Sequence, residues 1–145
     1  MKSKTLAMLV KLRQYQLEME QWKLYHKQLE EQKARMDAEN SAHLLQESYG
    51  DGLLPVQPSV AERASRFHHE AAVAYELSMR KLALTQQETY QQLLAVIYRQ
   101  QRREMMSRLH QDAVRQEQME YDYQERRFLD DLAQTSFARS EKEIL

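Results

Sequence analysis

The sequence predicts an all-α protein: two long helices folded into an antiparallel coiled-coil hairpin, the second helix much longer than the first and overhanging it. Three observations carry this expectation. Both glycines and both prolines, Gly50, Gly52, Pro55 and Pro58, fall within residues 50–58, which leaves 1–49 and 59–145 free of the residues that break helices most strongly. The remainder is dominated by Ala, Leu, Glu, Gln, Lys, Arg and Met, all good helix formers. Apolar residues recur at alternating spacings of three and four, the period of a helix that packs along one face.

Helix one is expected from about residue 4 to 48. Its apolar residues Met8, Leu12, Tyr15, Met19, Trp22, Leu29 and Met36 form a heptad seam, with His26 and Lys33 filling the two gaps as polar breaks and His43 further along. Val10, Leu17 and Leu24 recur every seven residues beside it and widen the stripe beyond a strict two-stranded seam. The corner spans 49–58, where a glycine suits a helix C-cap and the prolines cannot continue the helix. Ser59 and Glu62 then read as the N-cap and third position of a capping box, worth on the order of 1 kcal/mol.

Helix two is expected from about residue 59 to 142, so residues 1–145 form a single coiled-coil hairpin. Met79, Leu82, Gln86, Tyr90, Leu93 and Ile97 make its stripe. Folding the chain back about residue 54 brings Leu12 near Val96, Tyr15 near Leu93, Met19 near Tyr90 and Leu29 near Met79. Close to the corner the facing residues shrink to Ala64, Ala71, Ala72 and Ala74, with Phe67 the lone large one.

At 1.5 Å per residue the helices would measure roughly 65 and 125 Å. Roughly 35 to 40 residues beyond Arg103 would therefore lack a partner within the chain. That overhang carries Met105, Leu109, Ala113, Met119, Tyr123, Phe128, Leu132, Ala133 and Phe137, an apolar set that something else should cover. Charge changes sign along it. Arg99, Arg102, Arg103 and Arg108 are opposed only by Glu104, and then Glu117, Glu120, Asp122, Glu125, Asp130 and Asp131 outnumber Arg126 and Arg127. Such polarity suits either a solvated helix face or a helix aligned with oppositely charged rings of a partner.

Composition excludes several classes of function. With 30% charged residues, a mean hydropathy of -0.82 and only 3 Phe and 1 Trp, a compact core is out of reach and an extended chain is expected. The 21 basic and 22 acidic residues are mostly interspersed, so neither nucleic acid nor an acidic membrane is called for, and the four arginines lack the long clean zipper of a DNA-binding coiled coil. The longest apolar run, Leu93 to Tyr98, is far short of the ~20 residues that span a bilayer, and Lys2, Lys4 and Lys11 break up the opening stretch, so no signal peptide, anchor or direct membrane insertion is expected. The absence of Cys removes disulfides and thiolate metal sites. His69-Glu-Ala-Ala-Val73 resembles a zinc-protease helix but has Val73 where the second histidine ligand belongs, and adjacent His68 and His69 point to different faces. There is no glycine-rich phosphate loop, no Cys nucleophile and no expected pocket. A protein without enzymatic activity, metal or cofactor is the expectation.

The Gly-Asp-Gly corner before the middle, the longer second helix, the opening Leu6-Ala-Met-Leu-Val-Lys-Leu-Arg13 and the ending Gln124-Glu-Arg-Arg-Phe-Leu-Asp-Asp-Leu-Ala133 together resemble the FliJ family of flagellar export proteins, and the related YscO-like stalk proteins of virulence type III secretion. The resemblance implies a cytoplasmic, non-catalytic central stalk of a bacterial export apparatus, peripheral to the inner membrane. Its terminal end would enter the hole of a hexameric export ATPase, its corner would reach the membrane export gate, and export chaperones would also bind. On that reading the ATPase contacts are Arg99, Arg102, Arg103, Arg108, Met119, Tyr123 and Phe128, and the gate or chaperone contacts near the tip are Met36, Tyr49 and Phe67. The chain departs from the family in the stretch Glu30 to Ser41, which offers Met36 and Asn40 but no tyrosine. A different class is also open: a generic coiled-coil adaptor or structural protein whose apolar tail self-associates.

Overall fold

The computed structural model describes residues 2–50 and 58–144. They form two helices, α1 (Lys2–Gly50) and α2 (Pro58–Ile144), packed against each other as an all-α hairpin, with no strand among the described residues. Most of the corner, including Gly52 and Pro55, lies outside the described residues. α2 already begins at Pro58, and a proline at the first helical position costs nothing for its missing N–H. Ser59 therefore sits inside the helix rather than at its cap, and Ser59 and Glu62 do not form the expected capping box.

The chain divides into two units, one made of residues 17–99 and the other of residues 1–16 with 100–145. In the first, the covered residues of α1 are Leu17, Glu20, Leu24, Lys27, Glu31, Ala34, Ala38, Ser41, Leu45 and Ser48, an unbroken alternation of three and four, with Ala42 half-buried beside Ser41. They face Ala64, His68, Ala71, Tyr75, Ser78, Leu82, Thr85, Thr89, Gln92, Val96 and Arg99 of α2, which keep the same alternation. Leu17 and Ala34 are each 2% exposed, and Ala38, Ala71 and Val96 are also buried.

This seam is not the one that hydrophobic periodicity selects. Met19, Trp22, Leu29 and Met36 of α1, and Met79, Gln86, Tyr90, Leu93 and Ile97 of α2, are all exposed; of the expected seam in this unit only Leu82 is half-buried. His26 and His43 are exposed as well, so they are not breaks in the seam. On α1 the error is two residues of phase, about 200° at 3.6 residues per turn, which turns the expected stripe directly away from α2. The physical reason is what holds the real seam together. Small side chains (Ala34, Ala38, Ser41, Ala71, Ser78) let the helices approach, and polar side chains then reach across. Ser41 and Ser78 hydroxyls lie 2.9 Å apart. Gln92 Nε2 donates to the backbone carbonyl of Glu20 at 3.0 Å and to its carboxylate at 2.6 Å. Lys27 Nζ pairs with Glu88 at 3.2 Å, and Thr89 Oγ1 donates to the Lys27 carbonyl at 3.3 Å. These pairings also place Lys27 about one heptad further along α2 than folding about residue 54 implies.

In the second unit Val10 is half-buried, whereas Met8, Leu12 and Tyr15 are exposed. With buried Leu17 and half-buried Leu24 in the first unit, Val10 belongs to the flank that the sequence places beside the seam, and that flank is the seam. Gln14 meets Arg103, and Ser3 meets Glu117. Coverage of α2 thus continues past Arg103 through Met106, His110 and buried Ala113 to Glu117. The uncovered stretch is residues 118–144, every one exposed, and it is shorter than expected because α1 reaches further along α2.

Candidate functional site

The unit of residues 1–16 and 100–145 holds most of the residues assigned to a partner. Arg103 occupies a covered heptad position and its Nη1 donates to Gln14 Oε1 at 3.0 Å, so its guanidinium is committed to the α1–α2 contact. Arg102 and Arg108 are exposed. Arg103 and Arg108 line one open groove of about 490 Å³ together with Val10, Gln14, Glu104, Ser107 and Gln111. Arg99 lies in the other unit at a half-buried position, its guanidinium carbon 5.9 Å from the centroid of the Tyr98 ring.

Beyond Glu117 the helix is bare. Met119 is 70% exposed, and Tyr123, Phe128, Leu132 and Phe137 are exposed to a similar degree. The helical period sorts them onto two faces. Met119, Tyr123 and Phe137 share one side, while Phe128 is turned by about 180° from Met119 and shares its side with Tyr121 and Leu132. Met119, Tyr123 and Phe128 do not form a single patch. A helix that is apolar on opposite sides asks for cover all round, not for one flat partner.

Ser3 fixes the start of this stretch. Its hydroxyl donates to Glu117 Oε2 at 2.6 Å and its backbone N–H donates to Oε1 at 3.0 Å. These bonds, the hydroxyl's foremost, stabilise the ionised carboxylate and lower its pKa to about 2. In the other unit Lys27 is raised above its ordinary value, chiefly by the hydrogen bond to Glu88 and then by the nearby charges of Glu30 and Glu88. Neither Glu117 nor Lys27 stands out in the sequence. The available signal was the heptad phase of small and polar residues, which a search for apolar periodicity passes over.

Of the tip residues, Tyr49 is exposed and sets its ring edge-on to His68, centroids 4.5 Å apart. Phe67 is exposed next to it in sequence, and Met36 is exposed thirteen residues before Tyr49, about 20 Å along α1. The structure does not gather the three into one site. Buried Ser48 lies 2.9 Å from His68 Nδ1, a pairing that invites a nucleophile reading. The serine hydroxyl donates to the Leu45 carbonyl at 2.5 Å, an arrangement that the His68 tautomer with its hydrogen on Nδ1 completes. That is the reverse of what an activated hydroxyl requires. Among the described residues no group of three or more His, Asp or Glu side chains is arranged to hold a metal ion, and no helix is long and apolar enough to cross a membrane.

No protein-family model, no curated protein and no solved structure matches this chain.

Proposed function

We propose that this protein is the non-catalytic central stalk of a flagellar or type III export apparatus, a cytoplasmic rod that engages a hexameric export ATPase through residues 118–144. The observation that carries the reading is the bare end of α2, apolar on opposite sides and charged between them. A helix of that kind is stable in a ring that surrounds it, and a hexamer's central hole supplies apolar and charged contacts from every direction. Met119 and Tyr123 on one side and Phe128 on the other then contact different subunits, with Arg102 and Arg108 as exposed cations nearer the hairpin. Arg103, which also donates to Gln14 across the hairpin, lines the same groove as Arg108. Contact of the corner with the export gate and with chaperones, through Tyr49 and Phe67, belongs to the same reading and rests on the sequence resemblance.

The test is to add the full chain to the export ATPase and follow hexamer formation and ATP hydrolysis. Both should rise. Tyr123→Glu combined with Phe128→Glu should abolish the stimulation while circular dichroism of the hairpin stays unchanged. No effect of the unaltered chain on either assembly or hydrolysis would remove the stalk role.

A further inference from the structure

In the unit of residues 17–99, the face of α1 that turns away from α2 carries a second heptad stripe: Met19, Trp22, His26, Leu29, Lys33 and Met36. Trp22 is 60% and Met36 is 56% exposed, while Leu17 in the seam is 2% exposed. Met19, Trp22, Leu29 and Met36 thus sit outside, while the seam mixes Leu17, Leu24 and Leu45 with small and polar side chains. The Trp22 ring is already held against His26, centroids 4.1 Å apart, and Tyr25 meets the same imidazole at 5.8 Å, so the stripe presents an ordered aromatic anchor. A stripe of this period over about 27 Å is what another helix packs onto.

We infer that its occupant is a second copy of this chain, with the two α1 helices antiparallel about a two-fold axis between Lys27 and Gln28. Charge chooses the direction. A parallel pair would set Lys33 against Lys33 and His26 against His26 within the contact. The antiparallel pair sets Lys33 of one copy over Trp22 of the other, a cation against an aromatic face, and puts His26 against Leu29 and Met19 against Met36. On the flank it brings Lys23 opposite Glu30, two side chains that are solvent-accessible within one chain. Glu18 opposite Glu39 is the single like-charge pairing, and it falls at the two open ends of the contact, where solvent screens it. The pairing goes beyond the stalk reading and does not depend on it, because it uses residues 18–39 and leaves 118–144 free.

The chain has no cysteine, so single cysteines report the geometry directly. Full-length Met19→Cys mixed with full-length Met36→Cys under mild oxidation should give the disulfide-linked pair as the main product. Comparable linkage of Met19→Cys with itself would overturn the antiparallel arrangement. By light scattering the unaltered chain should be a dimer, and Trp22→Glu a monomer with the same far-ultraviolet circular dichroism; a concentration-independent monomer for the unaltered chain, or a persisting dimer for the variant, refutes the proposal. Lys23→Glu and Glu30→Lys should each weaken the dimer several-fold and together restore it. Within one chain the double exchange sets like charges beside Glu20 and Lys27, so restoration has to come from the other copy, and its absence counts against the register. Stimulation of the export ATPase should survive in Trp22→Glu, which keeps the outcome separate from that of the stalk.

Discussion

Glu117 marks the last covered position of α2 and is tied by both of its oxygens to Ser3. Its folded pKa, about 2, lies below the ordinary 4.5, so its contribution to stability is present above about pH 4.5 and is lost as pH falls toward 2. The melting temperature of the unaltered chain should therefore drop across that window more steeply than that of Glu117→Gln, measured by circular dichroism. Equal acid limbs would show that the Ser3 contact carries no stability. Lys27 works in the opposite sense: its pKa is raised, so its contribution is complete below 10.5 and fades above. Neither residue was legible beforehand, because an acid or a lysine in a polar heptad position looks the same as one on a solvated face until its neighbour is known.

Each helix was legible as an element, since the breakers cluster in one place and nothing interrupts the flanks. Expected limits of about 4–48 and 59–142 compare with Lys2–Gly50 and Pro58–Ile144. The face each helix buries was not legible. On α1 two heptad stripes coexist, one of Met, Trp and Leu and one of Leu, Ala, Ser and charged residues, and hydropathy favours the wrong one. Paired substitutions separate them. Leu17→Ala should cost about 2–5 kcal/mol, the usual range for removing a buried leucine side chain. Leu93→Asp, at a position 41% exposed, should stay within about 0.5 kcal/mol. Thermal or urea unfolding reads both, and a larger loss at Leu93 would mean that the stripe chosen by apolarity is the true seam.

Across the whole molecule, the difference between 49 helical residues before the corner and 87 after it leaves 118–144 without cover from α1. An isolated stretch of helix lacks the tertiary packing that supplies most helical stability. Its amides should exchange with deuterium faster than those of residues 17–48 in the free protein, and on the proposed stalk reading should slow when the export ATPase is added. Uniform exchange in the free chain would show that the stretch is already packed. Of the residues assigned to the ATPase, Met119, Tyr123 and Phe128 keep their exposure, whereas Arg103 is drawn into the hairpin. The sequence could show that the tail was apolar and charged, but the point where cover stops depends on how far α1 slides along α2.

The arrangement of breakers, the helix-forming composition and the unequal arms were determined by the sequence alone, because backbone propensity and chain punctuation act locally. Only the tertiary structure decided which stripe of α1 faces α2, and at what axial offset. That choice is made between two surfaces: small side chains allow close approach and polar ones find hydrogen-bonding partners across the gap. Neither property raises the hydropathy of a single helix.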